Sequence, residues 1–149
     1  MKPVTKITIT DDGNVRTIKR STNSGNLYKI PETTTLTMLS TSNDNANPTL
    51  IFDGGKEDGK TGTALFENYG TLTVNQGVVL QNNASANNNQ GIAIYSQSNS
   101  TTTFKGVMRN MISTFTENAN PSAIAIKGTF TFENAVVENE VEETEQNEE

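Results

Sequence analysis

The sequence predicts an all-β solenoid: a short parallel β-helix of about four coils, roughly 29 residues per coil, with three short strands in each. Three observations predict it. One phrase returns three times in register. It reads Gly70-Thr71-Leu72-Thr73-Val74 … Val78-Val79-Leu80-Gln81-Asn82, then Thr101-Thr102-Thr103-Phe104 … Val107-Met108-Arg109-Asn110, then Gly128-Thr129-Phe130-Thr131-Phe132 … Val136-Val137-Glu138-Asn139. Val78, Val107 and Val136 are each 29 residues apart, and a fixed period in this range marks stacked units that cannot bury a face alone. Within each phrase, apolar residues alternate with threonine, the period-two signal of a strand. No window carries the i, i+3, i+4 spacing of an amphipathic helix.

The elements follow in order. Val4–Thr10 and Val15–Arg20 read as two strands of a partial first coil. Leu27–Ile30, Thr35–Met38 and Thr49–Gly55 supply the three strands of the next coil, whose longer loops are Ser40–Pro48 and Lys56–Thr63. Each later coil opens on an apolar run, Ala64-Leu65-Phe66, Ile92–Tyr95 or Ala123–Ile126, and continues with the repeated phrase. Residues 1–140 are therefore one domain, divided into 1–26 (partial coil or cap), 27–63 (first full coil) and 64–140 (regular coils). Residues 141–149 form an acidic tail, expected to be disordered or a weakly ordered cap. A propeller blade needs a fourth strand and a longer period, and a sandwich needs hairpin turns between adjacent strands. Coils of this length stack like on like, about 4.8 Å apart. Val78, Val107 and Val136 are then expected to form one ladder and Val74, Phe104 and Phe132 a second, buried one. Asn82, Asn110 and Asn139 fall at nearly matching turns, where amides can bond along the axis.

The stretches RTIKRS, GNLYKIPETTTLTM, PTLIFDGG and GTLTVNQGVVLQNN resemble the right-handed parallel β-helix modules of bacterial cell-surface and adhesin-like proteins, within the pectin-lyase-like superfamily. The likeness runs from about Lys6 to Asn139. It implies a right-handed β-helix and an extracellular or cell-surface setting.

Leu, Ile, Val and Phe make up only about a fifth of the chain, near the level typical of disorder. A solenoid tolerates this because each coil packs a thin core against its neighbours. The net charge of −6 belongs to the end of the chain, since Glu138–Glu149 hold seven glutamates and no base. Met1–Arg20 carry five bases and two acids, so the two ends differ in sign. There is no cysteine, histidine or tryptophan, which excludes disulfides, Cys/His metal sites and nucleophile–histidine pairs. Met1-Lys2-Pro3 leads straight into a strand, so an extracellular role implies a mature or excised form. No stretch is apolar enough to insert in a membrane, and bases are too few and scattered for a nucleic-acid groove.

Carboxylate chemistry is the one enzymatic option left. Asp53, in Phe52-Asp53-Gly54-Gly55 with Glu57 and Asp58 nearby, is its best candidate. Hydrolysis needs a second carboxyl group about 5–10 Å away, and no second Asp recurs at the matching turn above. Asp-Gly-Gly is better read as a turn in which Asp caps the backbone. Asp11-Asp12-Gly13-Asn14 lacks the further acids of a calcium loop and reads as a tight turn. Asn87–Gly91 could meet sugar hydroxyls but reads as a solvated turn. Asn83-Ala84-Ser85 and Asn99-Ser100-Thr101 match the glycosylation pattern by chance in an Asn/Ser/Thr-rich chain. Tyr28, Tyr69 and Tyr95 are a carbohydrate platform only if one ladder holds them. The sequence thus assigns no catalytic, cofactor or metal residue. Its functional expectation is a non-enzymatic module serving as spacer or binding face, with a host or cell-surface carbohydrate or protein as partner. The alternatives are a subunit stacking head-to-tail through open ends and a fragment of a carbohydrate-active enzyme.

Overall fold

The computed structural model describes residues 2–85, 91–113 and 122–138. The alternating runs form strands, and every strand pairs in parallel with its counterpart one coil later. A partial coil holds β1 (Thr5–Thr10) and β2 (Arg16–Lys19). Four full coils follow: β3 (Tyr28–Ile30), β4 (Thr34–Leu39) and β5 (Leu50–Asp53); then β6 (Phe66–Asn68), β7 (Thr71–Val74) and β8 (Val78–Ser85). The third holds β9 (Gly91–Ser96), β10 (Thr101–Phe104) and β11 (Val107–Ser113), and the fourth β12 (Ser122–Ile126), β13 (Thr129–Phe132) and β14 (Val136–Glu138). Three parallel sheets result, ordered β1-β4-β7-β10-β13, β2-β5-β8-β11-β14 and β3-β6-β9-β12. The expected β-solenoid of four coils and a fragment is present. The acidic tail and Asn87–Gln90 lie outside the described residues.

The core is the set of inward columns. In the first sheet Met38, Val74 and Phe104 stack in register, all without solvent exposure. Phe52, Leu80 and Met108 do the same in the second, and Tyr28, Phe66 and Ile94 fill the third. The Tyr28 ring stacks on Phe66 at 5.6 Å, and Phe52 meets Phe66 edge-on at 5.2 Å. Each buried large side chain contributes about 1.5–3 kcal/mol, so a thin core suffices once it runs through every coil. The predicted Val74–Phe104–Phe132 column is in register, but Phe132 is 49% exposed because it lies in the last described coil.

The predicted valine ladder needs correction. Val107 pairs with Val79, not Val78, and with Val136 above it, while Val78 pairs with Leu50. The cause is corner length. Three residues, Asn75–Gly77, join β7 to β8, whereas Lys105 and Gly106 alone join β10 to β11. A one-residue slip moves a side chain to the opposite face of a sheet, so Val78 packs in the core cluster and Val107 faces outward with Val79.

Corners are built from residues that can turn tightly. Asn82 and Asn110, at φ 53° and 54°, bend β8 and β11 in the middle, a conformation that asparagine tolerates better than most. Their amides stack as expected, Asn110 Nδ2 donating to Asn82 Oδ1 at 3.1 Å; Asn139 lies outside the described residues. Gly70 opens β7 because a Cβ there would press into the carbonyl oxygens of Thr34 and Pro31 in the coil below. The long loop after β4 acts as an axial strap. Asn45 accepts from Gly77 N–H at 2.8 Å and donates to the carbonyls of Lys105 (2.9 Å) and Asn134 (3.2 Å), one contact in each of three successive coils. Arg20 is buried, donating to the carbonyl of Gly25 at 2.6 Å and to Asn83 Oδ1 at 3.4 Å. Burial pushes its guanidinium below the usual arginine value.

Candidate functional site

Asp53 ends β5 on the outer side of the second sheet and is only 6% exposed. Its Oδ1 accepts from Gly55 N–H at 2.7 Å, closing the turn that the sequence suggests. Its Oδ2 accepts from Gln81 Nε2 (2.7 Å) and Asn82 Nδ2 (2.9 Å) one coil above. Arg109, a further coil up, donates through Nε and Nη2 to Gln81 Oε1 at 3.0 and 2.9 Å. Asp53 is therefore the foot of an axial hydrogen-bond chain. The neighbouring acids sit on a short 3-10 helix, Lys56–Asp58, where Asp58 pairs with Lys19 at 2.5 Å. That contact raises the Lys19 pKa.

Asp11 follows β1 at the first corner. It accepts from Gly13 N–H (2.9 Å), Thr41 N–H (3.0 Å), the Thr41 hydroxyl and the Thr49 hydroxyl (2.8 Å). Burial alone would raise its pKa, but these hydrogen bonds outweigh it and hold the carboxyl at about 2. Asp12 pairs instead with Arg16 at 2.6 Å. The tight turn is as expected. Its link across to the loop of the next coil was not legible, because Thr41 and Thr49 are far along the chain.

The three tyrosines do not form one platform. Tyr28 is in the inward column, while Tyr95 pairs with Glu67 on the outer face of the third sheet. Glu67 gathers a polar cluster there: Tyr69 Oη donates to Oε1 at 2.7 Å, Gln97 Nε2 to Oε1 at 2.8 Å and Asn26 Nδ2 to Oε2 at 2.8 Å. Lys29 lies over the Tyr69 ring at 4.8 Å and Lys127 over Tyr95 at 5.1 Å. Burial would raise the Glu67 pKa, yet the hydrogen bonds from Tyr69, Gln97 and Asn26 and the nearby Lys29 charge bring it down. The same contact raises the Tyr69 pKa. This half-buried patch of carboxylate, amides and aromatic rings has the side-chain types that meet sugars and polar peptides. Of its members, sequence reasoning found only Tyr69 and Tyr95.

The first sheet carries the most regular outer face. One outward column holds Lys6, Thr35, Thr71, Thr101 and Thr129, and the next holds Thr8, Thr37, Thr73, Thr103 and Thr131. The signal in the sequence is Thr-x-Thr, repeated once per coil.

Asn83 is fully buried and its Nδ2 donates to the carbonyls of Thr63 (2.7 Å) and Ile92 (2.6 Å), so it is not available for glycosylation. Among the described residues no three or more acidic side chains gather where a metal could be held. Among them, too, no helix is long and apolar enough to cross a membrane. Comparisons with protein families, with curated proteins and with solved structures gave no match.

Proposed function

We propose that the chain is a non-enzymatic β-solenoid module of a bacterial surface or adhesin-like protein of the pectin-lyase-like type, acting outside the cell as a spacer that presents a binding face. The observation that carries this reading is how Asp53 is used: both carboxylate oxygens are committed to hydrogen bonds that tie one coil to the next. A catalytic carboxyl must instead reach a substrate atom directly or through one water. The patch around Glu67 is the binding face best suited to a cell-surface carbohydrate or polar peptide. The test is incubation of the purified chain with polygalacturonate and related uronic-acid polymers. No reducing ends or unsaturated products are expected. Product that appears with the wild type and vanishes in Asp53→Asn would overturn the reading. Antibody labelling of intact producing cells checks the location.

A second reading, a subunit that stacks head-to-tail, is favoured by the two solenoid ends. Val4, Ile7 and Val15 are exposed in the first coil, and Ile126, Phe132, Val136 and Val137 in the last described one. The third sheet has four strands against five in the others. Beside the free edge of β3 is an apolar cavity of about 200 Å³, lined by Ile7, Ile9, Tyr28, Ile30 and Leu36. Open edges and apolar ends invite pairing with another strand.

A further inference from the structure

We propose that the outer face of the first sheet binds ice, a crystalline lattice of water. The two outward columns span five strands, and nine of their ten positions are threonine. Their four pairings run in unbroken register, so the side chains form a two-dimensional lattice. Its spacings are about 4.8 Å between strands and about 6.6 Å between alternate residues along a strand. The spacing between strands is near the shorter oxygen repeat of hexagonal ice, while the spacing along a strand falls below the repeat along the perpendicular axis, so the match is carried by the strand-to-strand direction. The face is about 19 Å long across five strands, enough to meet several lattice repeats at once.

Threonine suits that partner chemically. It presents a hydroxyl that can replace a lattice water and a methyl that fills the space between waters. Its branched Cβ restricts χ1, so the array is ordered before contact. The hydroxyls are also unspent: none of the nine has a hydrogen-bond partner among the described residues. Charge complementarity points the same way. Lys6 is the sole charged side chain of the ten and sits at one corner, so the face matches an uncharged lattice and offers little to a charged polymer.

Strand propensity does not account for the repetition. The outward columns of the second sheet read Thr17, Ile51, Val79, Val107, Val136 and Lys19, Asp53, Gln81, Arg109, Glu138. The third sheet places Lys29, Glu67, Tyr95 and Ala125 in one outward column. The same solenoid thus accepts cations, acids, amides and aromatics on its outer surface. Valine also repeats in the second sheet, at Val79, Val107 and Val136, but the first two are buried there. In the first sheet one residue fills both outward columns from the first full coil on.

The test uses the full chain in dilute buffer. Thermal hysteresis and partition into slowly growing ice are measured for the wild type, Thr73→Tyr, Thr103→Tyr and, away from this face, Asp58→Asn. Tyrosine favours strands, so the fold is kept while a ring stands above the plane. The wild type and Asp58→Asn are expected to separate the melting and freezing points and to enrich in the ice. Each tyrosine variant is expected to lose about tenfold of the hysteresis, since a group at the centre of a contact dominates it, with unchanged circular dichroism. If either variant misfolds, Thr131→Tyr, on an exposed position of the last described coil, takes its place. The proposal is overturned if the wild type shows neither hysteresis nor enrichment, or if well-folded tyrosine variants keep both. It is also overturned if the chain sediments with crystalline chitin or cellulose and is excluded from ice. None of these outcomes touches the non-enzymatic reading, which falls only to polymer cleavage.

Discussion

Replacing Phe104 by alanine tests the stacking of the core directly. Phe104 is fully buried in the middle of a column, in register with Val74 below and Phe132 above. Its ring meets that of Phe132 edge-on at 6.2 Å. Truncating a buried phenylalanine costs about 3–5 kcal/mol, depending on how far the site collapses. Below, Val74 is held by a complete coil. Above, Phe132 is half exposed and has room to swing into the space. That relaxation places the expected loss near 3 kcal/mol, the low end of the range. Against a net stability of about 5–15 kcal/mol, this is a fifth or more of the total. Phe132→Ala, in the same column but half exposed, is expected to cost about 1 kcal/mol. Urea unfolding by circular dichroism measures both, with the slope m checked for constancy. A loss under about 1 kcal/mol for Phe104→Ala, or equal losses at the two positions, would refute the register and the idea that burial, not residue type, sets the cost.

Asp11 should make stability pH-dependent. Its carboxyl is held at about 2 in the fold against an ordinary 3.8, so its contribution is present above that ordinary value and is lost as pH falls through the folded one. The deficit of Asp11→Asn in urea should be largest at neutral pH and close near pH 2, and a deficit independent of pH would contradict the assigned contacts. At Asn110 the backbone is left-handed, so Ala should cost about 1 kcal/mol more than Gly; equal losses would mean that the bend is not under conformational control. If the solenoid ends associate, light scattering should show larger particles at low salt than at high, as the Debye length shrinks from about 30 Å to about 3 Å. A monomer at every salt, with and without residues 141–149, would end the head-to-tail reading.

The architecture was legible because two periods reinforce each other. Alternation of threonine with apolar residues marks each strand, and the return of the phrase fixes how strands stack. What spacing could not give is register at the corners. Val79 lies five residues after Val74, whereas Val107 lies three after Phe104 and Val136 four after Phe132. A mean period of 29 hides this, because an insertion before one strand is absorbed by a tight corner elsewhere. Gly77, with φ of 80°, marks the corner that takes up the extra residue. That extra corner residue puts Val78 in register with Leu50 and in the core cluster, and puts Val79 in register with Val107.

The outer faces were less legible for a geometric reason. In a solenoid, partners on one face come from successive coils, so Glu67 meets Tyr95 and Gln97, and Asp53 meets Gln81 and Asn82, across nearly a full period. Local motif reading recognises Asp53-Gly54-Gly55 as a turn but cannot see what the carboxylate holds above it. Once register is known, each outward column reads as a short sequence running along the axis. An inward column must fill volume, as Met38, Val74 and Phe104 do, or satisfy its polar atoms internally, as Asn68 and Thr102 do by bonding each other. An outward column is free of that demand wherever nothing covers it, although Val79 and Val107 are buried. Variety such as Lys19, Asp53, Gln81 and Arg109 then reflects coil-to-coil bonding worked out locally. Uniformity such as Thr8, Thr37, Thr73, Thr103 and Thr131 has no such local cause, because no threonine in it bonds its neighbour among the described residues. A repeated side chain that hydrogen bonding within the fold does not require is the pattern on which the proposed contact with a repeated lattice rests.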